Sequence, residues 1–324
     1  MAQNRRAGRR KGGRRRLGSL PPYAALVMGA VLGALVAVGA AELLLRDGLQ
    51  APGGEEVAAA RVAVAPPPLA KPAPPGRKPG APPDWRRYAR PAQSGSGPFL
   101  AVVIDDLGHD PALTRRAVRL PPDVALAFLP YAPGVRGQVA VARKKGFEVL
   151  VHLPMEPDEA HMDPGPNALY GALDNRTLLR RLDANLSVFP GYIGVNNHMG
   201  SRFTRDAGAM TLVLTELRRR GLLFLDSRTS PDSVGASIAR ELEMPWAGRD
   251  VFLDNSREPA DIRRQLAEAE RRARETGLAV AIGHPYPETL DLLEEWLPEA
   301  ASRGLELVPI SQAAAASAAV AGFR

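Results

Sequence analysis

The 324-residue chain contains no cysteine. That excludes disulfides, thiolate metal sites and cysteine nucleophiles, and it leaves the redox compartment open. No glycine-rich phosphate loop follows the first apolar strand. Asp105-Asp106-Leu107-Gly108-His109 fits neither GxGxxG nor GxxxxGK[ST], which weighs against nucleotide binding. No GxSxG elbow occurs, and Ser201 and Ser227 stand in no motif of their own, which weighs against a Ser-His-Asp hydrolase. Basic charge is scarce where a nucleic-acid face would need it. The formal net charge is +7, but eight of the 42 Lys and Arg lie in residues 1–16, which hold no acid, leaving 34 against 35 Asp and Glu. The excess belongs to a tail, so no nucleic-acid partner is expected.

What is present divides into five stretches. Residues 1–22 form a basic tail. Residues 23–45 are apolar apart from Glu42 and long enough to cross a hydrocarbon core as a helix. With basic charge ahead of it, this segment predicts a single-pass anchor in the inner (cytoplasmic) membrane. The N-terminus would be cytoplasmic and the C-terminal part periplasmic or otherwise exported. The small residues Val38-Gly39-Ala40 fit a competing reading, a cleaved signal peptide. Leu43 to Leu45 carry the apolar run past that point and favour the anchor. Gly29 and Gly33 form a GxxxG pair through which two such helices could associate weakly as a homodimer. Residues 46–98 hold twelve prolines between Ala51 and Pro98 and no apolar periodicity, which predicts a disordered, extended spacer with a small amphipathic cluster at Trp85 to Tyr88. The folded domain is expected over 99–311. Residues 312–324 are Ala-rich and either extend a last helix or fray.

From Phe99 onward apolar runs alternate with helical patterns. Strands are expected at 99–104, 124–129, 147–151, 192–195, 222–225, 251–253, 278–282 and 305–308. Helices are expected at 135–145, 175–188, 207–220, 260–275 and 287–302. This alternation predicts a parallel α/β domain. The strand count points to a closed or nearly closed (β/α) barrel, with an open doubly wound sheet as the alternative.

The polar residues gather at the strand ends. Asp105-Asp106 ends the first strand, His152 the third, Asn196-Asn197-His198 the fourth, Asp226-Ser227-Arg228 the fifth, Asp254-Asn255 the sixth and His284 the seventh. In a parallel barrel these ends share the face that carries active sites. Two anions closing a buried strand are costly unless a cation, a shared proton or an arginine neutralises them. Asp plus two His is a ligand set for a divalent ion such as zinc, with a position left for water. A second carboxylate there could take a proton from that water, and a further His could protonate a leaving group. Asp105, Asp106, His152, His198 and His284 therefore suit metal-assisted hydrolysis; His109 and His161 read as peripheral. A two-carboxylate glycosidase pairing Asp105 with Asp226, Asp254 or Glu156 is the rival, and it leaves the histidines without a common purpose.

The segments AVVIDDLGHD, VHLPMEP, GVNNHMGSRFT, FLDSRTS, VFLDN and AIGHPYPETL resemble the divergent polysaccharide deacetylase family, a remote branch of the carbohydrate esterases with a NodB-like fold. The resemblance spans about 99–311. It implies a distorted (β/α) barrel of seven to eight mainly parallel strands. It also implies Asp105 as base, Asp106 as metal ligand and His284, in Ile282-Gly283-His284, as general acid. Better-known members supply two His four residues apart. Here His152 matches the first, and Glu156 stands at the second. His198 is the candidate for the missing ligand, with Glu156 as the fallback. The family's Arg-x-Pro-Tyr segment is replaced by Asn196-Asn197-His198-Met199-Gly200, so Arg202 or Arg228 would have to orient the base. Asn197, Asp226 and Asp254 complete the supporting set. The implied protein is a membrane-anchored, exported, zinc-dependent hydrolase that removes acetyl groups from an envelope glycan. The alternative is an inactive barrel of the same family that binds carbohydrate as a cell-wall scaffold.

Overall fold

The computed structural model describes residues 84–320, with side chains from 85 to 317. The basic tail, the apolar segment 23–45 with its GxxxG pair and most of the proline-rich stretch lie outside the described residues. Among the described residues no helix is long and apolar enough to cross a membrane.

In chain order the elements are α1 (Asp84–Tyr88), β1 (Phe99–Leu107), α2 (Pro111–Ala117), β2 (Ala125–Phe128), α3 (Val135–Lys144), β3 (Val149–Met155), α4 (Asn175–Leu186) and β4 (Gly194–Met199). A 3₁₀ turn at Phe203–Arg205 leads to α5 (Ala207–Arg219), β5 (Leu223–Asp226), α6 (Gly235–Glu241), β6 (Trp246–Gly248) and β7 (Val251–Phe252). Then come α7 (Pro259–Thr276), β8 (Leu278–Gly283), α8 (Pro287–Ser302), β9 (Glu306–Leu307) and α9 (Ile310–Val320).

All strand pairs are parallel, in the order β6-β5-β4-β3-β2-β1-β8-β7, with β9 paired to the start of β1. Strands β1 to β6 step one way without the reversal of a doubly wound sheet, and β7 and β8 complete the circuit back to β1. No ladder joins β6 to β7. The chain itself crosses that seam: the Arg249 N–H donates to Asp226 O at 2.9 Å and the Asp250 N–H to Val280 O at 2.8 Å. The architecture is a parallel α/β half-barrel of nine strands, one more than the upper bound expected. The additional strand is β6, whose three residues are too few to stand out as an apolar run.

Alternation along the strands builds two cores. Leu100, Val102 and Ile104 of β1 pack outward beneath the helices, while Ala101 and Val103 face the barrel interior. The small inward residues Ala101, Ala125, Ala127 and Ala247 leave room for Ile310, Ala313 and Ala314 of α9 to enter that interior. Residues 312–320 of the Ala-rich stretch therefore continue as helix. Residues 84–98 fall within the stretch expected to be a disordered spacer, and here the structure differs. Trp85 and Tyr88 pack against the inner core, and the Trp85 N–H donates to Gly221 O at 3.0 Å, just ahead of β5. Buried Glu148 ties these pieces together at the lower end. Its carboxylate accepts the Arg90 N–H at 2.8 Å, the Ser311 N–H at 3.0 Å and the Ser311 hydroxyl. With the lower mouth plugged, the strand C-termini form the open end.

Candidate metal centre and active site

β1 ends in a bulge. Its register with β2 slips between Ile104 and Leu107, and Asp106 takes up a left-handed φ of 54°. Neighbours on a regular strand face opposite ways, so it is the bulge that turns both Asp105 and Asp106 into one mouth. The exit from it requires glycine. Gly108 has φ 113°, and a Cβ there would lie 2.6 Å from Ala132 Cβ.

β3 and β4 bring the imidazoles. Their register sets His152 level with Asn196 and Pro154 level with His198. His152 Nε2 lies 3.1 Å from Asp106 Oδ1, and His198 Nδ1 lies 2.9 Å from the same oxygen. One donor atom from each of Asp106, His152 and His198 falls within 4.8 Å of the others. Asp106 Oδ1 is buried, and neither imidazole meets it with hydrogen-bond geometry. An orphaned, buried carboxylate oxygen is costly. Two imidazole nitrogens meeting this one anionic oxygen make a three-atom set that fits a divalent cation of zinc-like preference.

Electrostatics follow the geometry. Burial works to raise the Asp106 carboxyl, but His152 and His198 outweigh it and hold that carboxyl far below its usual range. Burial lowers His198 below an ordinary imidazole, despite Asp106. For His152 burial again pulls down, but Asp105 and Asp106 prevail and raise it. Asp105 is raised, chiefly by burial, against the lowering pull of His152, His284 and Asn196. Its Oδ1 accepts from Asn196 Nδ2 at 2.8 Å, and its Oδ2 lies 3.7 Å from His152 Nε2.

His284 enters from the end of β8. Its Nε2 lies 3.7 Å from Asp106 Oδ2, and its Nδ1 lies 2.9 Å from Asp254 Oδ1. Burial opposes its protonation, yet Asp254, with Asp106 and Asp105 beyond, pushes its pKa up to about 9. Asp254 is buried and also accepts from the Thr289 hydroxyl at 2.8 Å. Between these groups opens a cleft of about 380 Å³, lined by Asp106, His198, His284, Tyr131, Tyr286 and Leu113. Asp106, His198 and His284 reach its lining, while Asp105 and His152 lie buried behind it.

The sequence profile of the divergent polysaccharide deacetylase family matches residues 102–314. The chain belongs to that family. An Agrobacterium tumefaciens C58 protein of solved structure, ATU2773, superposes with a TM-score of 0.69 at 33% identity, over 70% of this chain and 94% of its own. A Haemophilus influenzae protein is 37% identical over 199 residues, covering 61% of this chain and 70% of the relative. YibQ of Escherichia coli is 36% identical over 196 residues, covering 60% of this chain and 61% of the relative. The chain thus spans less than two thirds of YibQ. The half-barrel is the NodB-like fold of the family.

Other expected members of the site lie elsewhere. Glu156, at the family's second His position, accepts the Gly171 N–H at 2.9 Å and sits 3.7 Å from Arg202 Nε, so it is no part of the cation cluster. The cause is local: a Met155–Leu169 bridge and the Glu156 N–H to Leu169 O bond turn the chain off β3 at that point. Arg202 is exposed beside Glu156, and Arg228 donates to Arg249 O at 3.1 Å, so neither touches Asp105. Asp226 accepts the Arg228 N–H at 2.8 Å and the Ser233 hydroxyl at 2.7 Å, which pins the loop after β5. Asn197 accepts the Ser227 N–H at 2.9 Å and donates to Met199 O at 2.8 Å, again securing loops. The side chain that hydrogen-bonds Asp105 is Asn196. Strand alternation could have found it, since 196 and 198 share a face and 197 does not. Arg249 stands in no motif that would mark it. Its guanidinium donates to Ser227 O and Arg228 O, bracing the seam from the end of β6.

Proposed function

We propose that this protein is a metal-dependent hydrolase that removes acetyl groups from an envelope polysaccharide or peptidoglycan. The observation that carries the reading is the buried, orphaned Asp106 Oδ1 with His152 Nε2 and His198 Nδ1 around it. Asp106, His152 and His198 would hold the divalent ion, zinc by the donor set. Such an ion, when bound, supplies Lewis acidity and lowers the pKa of water. The protein's own groups do the rest. Asp105, anchored at Oδ1 by Asn196, accepts the proton of the attacking water at Oδ2, and its burial-raised pKa poises it closer to neutrality, as a base requires. His284, held by Asp254, whose carboxylate favours the protonated ring, donates from Nε2 to the departing amine or hydroxyl. Tyr131 stays a phenol, because burial and Asp106 push it up to about 12, and it lines the cleft where the acetylated sugar would lie.

The apolar segment 23–45 behind a basic tail supports export and an inner-membrane anchor, with the domain outside the cytoplasm. Protease digestion of the domain in spheroplasts but not in intact cells tests that location. The chemical reading is tested with zinc-loaded full-length protein on acetylated chitooligosaccharides and on peptidoglycan. Acetate release is expected, reduced about 10²–10⁴-fold in Asp105→Asn and His284→Ala while zinc stays bound. Zinc bound without acetate release from either glycan would favour the inactive carbohydrate-binding scaffold instead.

A further inference from the structure

Asn196 lies at the centre of the polar network at the mouth of the barrel. It is fully buried on β4, level with His152. Its carboxamide is used at both ends. Nδ2 donates to Asp105 Oδ1 at 2.8 Å and to Ser227 Oγ at 3.3 Å, and Oδ1 lies 3.0 Å from His152 Nδ1. The orientation of the amide is dictated by its neighbours, since a carboxylate can only accept, so the NH₂ end must face Asp105. The oxygen then faces His152 and can only accept, so His152 Nδ1 must carry a hydrogen. A neutral imidazole protonated at Nδ1 has its lone pair on Nε2, the nitrogen 3.1 Å from Asp106 Oδ1.

We propose that Asn196 is the positioning residue of the site, one carboxamide that sets the tautomer of His152 and the placement of Asp105 together. The inference rests on Asp106, His152 and His198 being a cation site. Among the described residues the side chain that hydrogen-bonds Asp105 is this neutral amide, while Arg249 acts on Asp105 through its charge alone. Each of its hydrogen bonds would be lost differently on substitution. An Asp at 196 still accepts from His152 Nδ1–H, but as a carboxylate it does not donate to Asp105. A Leu does neither.

The test uses full-length wild type, Asn196→Leu and Asn196→Asp, with zinc affinity read by competition against a chromophoric chelator. Asn196→Leu should bind zinc about 10–100-fold more weakly and Asn196→Asp within about threefold of wild type, as expected when a ligand's orienting partner is removed or kept. With zinc saturating, kcat for acetate release should fall at least about tenfold in both variants and KM by less than about threefold, because Asp105 is misplaced in each. In the zinc-loaded wild type, ¹⁵N spectra should show the His152 proton on Nδ1, a readout that needs no variant to fold. A purely structural asparagine would lower stability and leave zinc affinity alone. Wild-type affinity in Asn196→Leu, equal weakening in both variants, or a proton on Nε2 would overturn the inference while the cation site stands. Absence of zinc binding by wild type would overturn both.

Discussion

Asp254 grips His284 at two points: its Oδ2 accepts the histidine's own backbone N–H at 2.6 Å, and its Oδ1 sits 2.9 Å from Nδ1. One carboxylate thus fixes both the main chain and the ring, leaving Nε2 aimed at the cleft. Asp254→Asn should release that hold. Activity of the wild type should fall at high pH as His284 loses its proton, and in the variant that fall should move to lower pH because the Asp254 charge that raises the imidazole is gone. Stability of the metal-free protein has the same sign. A histidine raised in the folded state stabilises fully below about pH 6.5 and loses that contribution as pH climbs through about 9. The loss should be of order 1–3 kcal/mol. Urea unfolding across this range should show it in wild type and a flatter dependence in Asp254→Asn.

The exit from the β1 bulge admits no side chain. Gly108→Ala sets a Cβ against Ala132 Cβ at 2.6 Å while φ stays at 113°. A cost of about 2–4 kcal/mol is expected from strain and overpacking combined. Chemical denaturation measures it. Wild-type stability in the variant would mean that the bulge is not fixed as described.

Glu148 should discriminate between shape and charge. Its acceptor atoms serve Arg90 and Ser311, and burial lifts its pKa. Glu148→Ala leaves those donors unpaired and should cost about 1–3 kcal/mol, with faster amide exchange in residues 84–98 and α9. Glu148→Gln keeps an acceptor and should stay within about 1 kcal/mol of wild type near neutral pH. A carboxyl raised in the folded state stabilises below its unfolded value and loses this as pH rises, so the glutamine variant should show the smaller decline above about pH 4.5.

Which parts of this were legible in the residues follows from physics. Long buried strands such as β1 and β8 were readable because an apolar run of six has few other homes. β6 was not, because three residues carry no pattern. The ends of the first, third, fourth and seventh expected strands marked Asp105, Asp106, His152, His198 and His284, but nothing in a strand pattern says that adjacent Asp105 and Asp106 face the same way. That needs the bulge at φ 54°. Glu156 stood at the right spacing for a ligand and turns away because the chain leaves β3 one residue earlier. Asn197 stands in the expected supporting set, whereas alternation with His198 favours Asn196. The amphipathic cluster Trp85 to Tyr88 marks a segment able to dock, but not where, because a proline-rich context says nothing about an open barrel end far along the chain.

Asp106, His152 and His198 are the proposed cation ligands, with His198 in place of a second histidine at Glu156. Zinc titration of the full-length protein, alongside Asp106→Ala, His198→Ala and Glu156→Gln, tests this assignment most directly. One ion per chain is predicted for wild type and Glu156→Gln, with affinity lowered at least about 100-fold in Asp106→Ala and His198→Ala. Unchanged zinc binding in His198→Ala, or its loss in Glu156→Gln, would contradict the account.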